Sequence, residues 1–294
     1  MMDGTVPTTH PVLGIDHTYL LVRDLEASAA LYRRLGFTLS PRGLHSPQKG
    51  TANHTIIFKD DYLELLGVVS DTDLNAQQRK TLATVGEGLQ AIANRTRDAS
   101  AAKEALSALQ IRTGDVSAFS RPLPLPGGAE GIASFRTLSF EESEVPLGHF
   151  FLCQHETPDM VWKPELQSHA NGSIGLGGII AISDDPLATA KTYARFYADG
   201  AVSQADGGFR VETGTNSAPL FFFDPRSIPD IYPGLNVRTA PANGFFALQV
   251  RVTDLKTTRR VLSENGVSSV TTPRGGIAVG REDASGVVVE FLEG

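Results

Sequence analysis

Four times along the chain, a run of apolar and β-branched residues gives way to an aspartate and then to a stretch with helical periodicity. In "GIDHTYLLVRDLEASAALYRRLGF" the segment IDHTYLLV has the content of a buried strand, and Asp24 stands where a helix N-cap belongs. Leu25, Tyr32 and Leu35, with the small residues Ser28 and Ala29 between them, share one helical face, and Gly36 closes the helix. Near the end, "GFFALQVRVTDLKTTRRVLSENGV" repeats the unit, and Asp254 precedes Gly266 by 12 residues, just as Asp24 precedes Gly36. Two weaker copies lie between. In "GLQAIANRTRDASAAKEALSALQI", Asp98 is followed 12 residues later by Gln110 where a glycine would stand; "GGIIAISDDPLATAKTYARFYADGA" has Asp185 with Pro186 in the first helical turn.

The four aspartates are 74, 87 and 69 residues apart, and strand-like segments with turn residues between them follow each helix. These are "TANHTIIF" and "YLELLGVV", "GIASFRTLSF" and "HFFLCQ", "FRVET" and "APLFFF", "GGIAVG" and "GVVVEFLE". The pattern predicts an α+β protein of four βαβββ modules. One such module cannot cover both faces of its sheet, so modules should pair, curving mixed sheets around a shared cleft with the helices outside. "HETPDMVWKPELQSHANGS" lacks a clear strand or helix pattern and reads as a connection, which divides the chain into domains over residues 1–165 and 166–294. "PLPLPGG" reads as a turn-rich connection inside a module.

Composition narrows the chemistry. At 294 residues with 41% hydrophobic content the chain can build two cores, and no apolar run approaches the ~20 residues of a membrane span. The segment "MMDGTVPTTHPVLG" has no signal-peptide pattern, so a cytoplasmic protein without membrane partners is expected. A formal charge of -7 without a Lys/Arg-rich block argues against nucleic acid as a partner. Cys153 is the sole cysteine, which excludes an internal disulfide and a thiolate zinc cluster, so any metal would need histidine and carboxylate ligands.

The module pattern resembles the vicinal oxygen chelate superfamily, which includes glyoxalase I, extradiol dioxygenases, fosfomycin-resistance proteins and bleomycin-binding proteins. The first half is most similar: "IDHTYLLVRDLEASAALYRRLGF", "GLHSPQKGTANHTIIF", "DYLELLGV" and "CQHETPDMVWKPE" resemble the glyoxalase-like branch. The resemblance implies two domains of paired modules and a divalent metal in the cleft, held from the first and last strands. The matching positions are His17 and Glu64. A histidine in an apolar strand is more often a hydrogen-bonded core residue than a ligand. Yet the positions seven before the other aspartates are Ala91, Gly178 and Ala247, so only the first module has a first-strand ligand. A third ligand should come from "GHFFLCQHE", where His149, Cys153 and His155 share strand alternation. His155 lies in the family-like stretch and is the choice, with His149 in reserve.

His17, Glu64 and His155 would form a two-histidine, one-carboxylate set suited to Zn, Mn, Fe, Co or Ni, with Glu64 also moving a proton. His45, Asn53, His54 and Phe150 are candidates to bind substrate. Phe151 and Trp162 could wall an apolar pocket, and Arg42 and Lys49 flank the same loop as charges for an anionic substrate. Cys153 lacks any signal for a lowered pKa. Glu290 occupies the last-strand position of the second domain, but Gly178 and Ala247 supply no ligand to accompany it. The second domain is therefore expected to be metal-free, and ring-cleaving dioxygenase chemistry is not expected there. The favoured function is a metal-dependent glyoxalase-like enzyme, a lyase or isomerase acting on a small oxygen-rich molecule. The alternative is a non-catalytic protein that sequesters a small molecule. Four modules can complete two clefts in a monomer, and a homodimer is equally compatible.

Overall fold

Each of the four aspartates caps a helix. In the computed structural model, which describes residues 10–124, 130–237 and 241–294, the Asp24 carboxylate accepts hydrogen bonds from the backbone N–H groups of Glu26 and Ala27. Asp98 accepts from Ser100 and Ala101, Asp185 from Ala188, and Asp254 from Lys256 and Thr257. These bonds satisfy amide groups that a helix start would otherwise leave unpaired. At the far ends Gly36 and Gly266 take the left-handed conformation, with φ of 91° and 65°, and Gln110 adopts it too at 58° in the place of the missing glycine.

The first module runs β1 (Ile15–Val22), α1 (Leu25–Arg34), β2 (Gly43–Leu44), β3 (Thr51–Ile57) and β4 (Tyr62–Val68). A helix outside the repeat, α2 (Ala76–Thr84), leads to the second: β5 (Gly88–Arg95), α3 (Ala99–Ala108), β6 (Thr113–Pro124), β7 (Glu130–Phe140) and β8 (His149–His155). The third comprises β9 (Ser173–Ile182), α4 (Pro186–Ala194), β10 (Val202–Ala205), β11 (Gly208–Val211) and β12 (Leu220–Phe223), followed by the short α5 (Ile228–Ile231). The fourth is β13 (Gly244–Val252), α6 (Leu255–Glu264), β14 (Val270–Thr271), β15 (Ile277–Val279) and β16 (Val288–Glu293). Strand β6 takes up the first residues of "PLPLPGG"; residues 125–129 lie outside the described residues, as do 1–9 of the opening segment.

Modules pair as the curved mixed sheets expected of an α+β protein of this kind. The first sheet has the order β2-β3-β4-β1-β5-β8-β7-β6 and the second β10-β11-β12-β9-β13-β16-β15-β14, the same permutation twice. First strands meet antiparallel at the centre of each sheet, β1 with β5 and β13 with β9, and each is flanked by the parallel last strand of its own module. Helices lie on the outer faces. There the two halves share one apolar core, with Leu20, Tyr32 and Leu152 from the first and Tyr193, Leu248 and Phe291 from the second. Separate apolar clusters line the inner faces. No helix among the described residues is long and apolar enough to cross a membrane.

Polar bonds pin the halves together. The Tyr197 hydroxyl donates to Asn94 Oδ1 at 2.9 Å, and the backbone N–H of Leu176 donates to Asp61 Oδ1 at 2.9 Å. Burial pushes the Asp61 pKa up from 3.8 to about 7, against the opposing pull of the Leu176 N–H, Arg251 and Arg95. The folded protein therefore keeps a proton that the unfolded chain releases, and this group's contribution to stability falls as pH rises from about 4 to about 7. The loss amounts to roughly 4 kcal/mol at most. Asp61→Asn should raise the thermal midpoint at about pH 8 and have little effect near pH 4. An equal shift at both pH values in thermal unfolding would refute this account of Asp61.

Candidate functional site

The centre of the first sheet is where its chemistry gathers. Strand β1 pairs Ile15 with Asn94 and His17 with Ala93 on β5, which leaves Asp16 as an extra residue in a β-bulge. Strict alternation would send neighbours to opposite faces; the bulge lets Asp16 and His17 enter one cluster. Asp16 is fully buried, and its Oδ1 accepts from His17 Nδ1 at 2.8 Å and from His155 Nε2 at 2.9 Å. Burial alone would raise the Asp16 pKa, but the electrostatic pull and hydrogen bonds of His155 and His17 together hold it well below the usual carboxylate range. As an acceptor for both rings, Asp16 sets their tautomers, and the Nε2 lone pair of His17 is left free.

That nitrogen lies 3.9 Å from Glu64 Oε2 on β4. The other carboxylate oxygen, Oε1, accepts from Asn53 Nδ2 on β3 at 2.7 Å. The His17 ring stacks on Tyr62, with centroids 4.2 Å apart, and meets the edge of Phe151. His17 and Glu64 line a cavity of about 470 Å³ in the first sheet, and Ala93 opposite His17 projects too little to fill it.

Of the residues expected at the site, His17, Glu64, His45 and Asn53 line this cavity, as does His149 on β8. Burial lowers the His45 pKa to about 4, with Lys49 and Arg121 adding to the effect against Glu64, so its ring is neutral at pH 7. Its Nδ1 pairs with Thr51 Oγ1 at 2.7 Å. His155 does not line the cavity: it sits behind it, tied to Asp16 and packed against Trp162, with Nδ1 buried and unpartnered. Two expectations about facing need correction. His54 points to the helix side, where Nδ1 donates to the Ser40 carbonyl and Nε2 approaches Glu26 of α1 at 3.5 Å. Phe150 also turns from this cavity, and its ring packs on Phe140, Tyr193 and Phe196 in the core between the halves. Its neighbour Phe151 takes the cavity side. Each lies one residue from a cavity-lining residue, so alternation excludes both once the register is known.

Lys49 lines the cavity with its Nζ 3.1 Å from the Phe119 ring centroid, whereas Arg42 pairs loosely with Glu26 outside it. Burial pushes the Cys153 thiol well above its usual range, and the nearby negative charges of Asp16 and Glu64 add to this, so it faces the cavity as a thiol. Sequence reasoning passed over Asp16, Tyr62 and Arg121. The pair "DH" was a signal for the first, since an aspartate in an apolar strand must be paired when buried. Among the described residues, one group of three or more His, Cys, Asp and Glu side chains lies close enough to hold a metal ion, namely Asp16, His17, Cys153 and His155.

A glyoxalase-like domain model matches residues 15–197, more than half of the chain. The chain belongs to the glyoxalase-like domain family. None of the curated proteins compared with it matches significantly. Among solved structures, a hypothetical protein from Staphylococcus aureus superposes with a TM-score of 0.60 at 15% identity, covering 95% of this chain and 98% of its own. A mutant of 4-hydroxymandelate synthase from Streptomyces coelicolor gives 0.61 at 12% identity, with 96% and 92% covered. A variant of homoprotocatechuate 2,3-dioxygenase from B. fuscum gives 0.55 at 13% identity, covering 99% of this chain and 74% of its own. At such identities these likenesses establish a shared two-sheet fold.

In this glyoxalase-like protein the second sheet treats the corresponding carboxylate differently. Glu290 on β16 is fully buried, and its Oε2 accepts from Tyr232 at 3.0 Å, Gln249 at 2.9 Å and Arg274 at 3.3 Å. The Gln249 amide occupies the space that a side chain at Gly178 would need, 2.4 Å from the position of a Cβ there. Hydrogen bonds from the protein itself take up one oxygen of this carboxylate, and among the described residues its buried Oε1 has no hydrogen-bond partner.

The opposed faces of Phe150 and Phe151 make a direct check. Phe150→Ala should cost about 3–5 kcal/mol, the usual range for a buried Phe truncation, whereas Phe151→Ala borders an existing cavity and should cost less. Urea midpoints at unchanged m-value measure both, and the reverse order would contradict the register described above.

Proposed function

We propose that this glyoxalase-like protein is a metal-dependent enzyme acting on a small oxygen-rich substrate by lyase- or isomerase-type chemistry. The reading is carried by His17 Nε2 and Glu64 Oε2, which border the cavity 3.9 Å apart, too far for a hydrogen bond. Each side chain has its other polar atom already engaged, His17 with Asp16 and Glu64 with Asn53. The donor set fits a divalent ion: a free imidazole lone pair, a carboxylate oxygen and open space on the cavity side. A carboxylate bound to the far nitrogen of a ligating histidine is the usual device for orienting one. His155, the third ligand expected from the sequence, is bonded to Asp16 through Nε2, and its ligand atom lies within 4.8 Å of those of His17 and Asp16, close enough to complete the set. Bound there, a divalent ion of the Zn, Mn, Fe, Co or Ni kind would polarise a substrate carbonyl.

The protein side chains do the rest. Glu64 would accept a proton from carbon next to that carbonyl, and Asn53 keeps the carboxylate turned toward the cavity. Tyr62 and Phe151 flank His17 and limit water around it. Neutral His45 and the unpartnered Oδ1 of Asn53 are available to hydrogen-bond polar groups of the substrate. A cavity of about 470 Å³ suits a small molecule.

The test is the metal content of protein purified without a histidine tag. Stoichiometric metal is expected in the wild type and should be lost in His17→Ala and in Glu64→Ala. Asp16→Asn should retain the site with affinity weakened roughly 10–100-fold. A metal-free wild-type protein that takes up none of these ions on dialysis would sink the proposal.

A further inference from the structure

We propose that the cavity takes a substrate with an oxyanion seated on Arg121 and a planar apolar body lying among phenylalanines. This deepens the reading of the cavity as a substrate site and rests on it. Arg121, on β6, is only 6% exposed, yet among the described residues its side chain has no carboxylate within ion-pair distance and no hydrogen-bond partner. A guanidinium kept from bulk water is ordinarily paired, because leaving it unpaired is costly. Arg121 instead borders both the main cavity and an adjoining one of about 240 Å³.

Room for it is built into the fold. A Cβ at Gly43 would lie 2.7 Å from Arg121 Nη1 and 2.4 Å from Asn53 Oδ1, so the missing side chain makes space for both groups. Lys49 brings a second cation, held over the Phe119 ring. Against these two stands Glu64, the one carboxylate among the lining residues described, with one oxygen engaged by Asn53. Two cations thus line the cavity against one lining carboxylate, and the Asp16 charge behind it is bonded to His17 and His155. Phe119 and Phe135 stack with centroids 5.1 Å apart, and with Phe151 they provide flat apolar walls beside the cations. A guanidinium fork matches a carboxylate or a phosphate in two parallel hydrogen bonds.

Calorimetric titration with benzoate, phenyl phosphate and neutral benzamide tests this, on protein as purified and after chelation. The two anions share the recognised chemistry, and the tighter one identifies a carboxylate or a phosphate as the natural group. At least one anion should bind about tenfold or more tightly than benzamide, and Arg121→Met should lose about tenfold or more of that affinity. Because none of the described residues pairs with Arg121, Arg121→Met should keep or raise the thermal midpoint, which a structural arginine would lower. Gly43→Ala, which displaces the guanidinium without removing it, should also weaken anion binding, and Lys49→Met carries the test if Arg121→Met does not fold. Failure of both anions to bind the wild type, equal affinity for benzamide, or full anion affinity in the variants would overturn the inference. Anion selectivity that survives chelation would stand even if the metal proposal failed. Metal-loaded protein without selectivity would defeat this inference alone.

Discussion

The first half of this protein is organised around one buried carboxylate. Asp16 has no access to solvent, so its charge must be compensated inside the protein, and both His17 and His155 donate to the same oxygen. Arg95 adds a weaker contact, 3.5 Å from the other oxygen. The histidines come from strands β1 and β8, separated by β5 in the sheet, so the carboxylate ties the two modules together across their seam. The bulge on β1 is what makes this possible, since it lets consecutive residues reach the same cluster. It also leaves the Nε2 of His17, and not Nδ1, for whatever enters the cavity.

The two sheets show what a repeated scaffold permits. Both have the same strand order, and both place a glutamate on the last strand of a module, Glu64 in one and Glu290 in the other. In the first sheet the small Ala91 and Ala93 of β5 face the centre, and a cavity remains. In the second, Gln249, Tyr232 and Arg274 converge on Oε2 of Glu290, and among the described residues nothing hydrogen-bonds its buried Oε1. A buried carboxylate held by three donors behaves as a packing element, whereas one that borders a cavity is open to chemistry. The same fold can therefore carry a site in one half and a polar core in the other.

Local signals were read most reliably. Capping aspartates, the helix-ending glycines and the strand segments after them all act within about one turn of chain, so they are visible in the residues themselves. The helix α2 carries little signal in the sequence because it lies outside the repeat and buries only Leu82. Arg121 was hidden in another way: it directly precedes the proline-rich "PLPLPGG", whose turn character masked the strand that carries it. For His54 and Phe150 residue chemistry alone points to the cleft, and only the register gives each strand residue its face.

What the sequence by itself determined was the modular α+β plan, the division into two similar halves and the singular position of His17 among four first strands. These follow from short-range propensity and spacing, and from a resemblance that residues 15–197 bear out. The tertiary structure decided which atoms meet. Placing His17 beside Glu64, tying Asp16 to His155 and bringing Arg121 to the cavity depend on strand register and on one bulge. Register is set by the packing of the whole sheet, and a slip of one residue would turn each of these side chains to the other face.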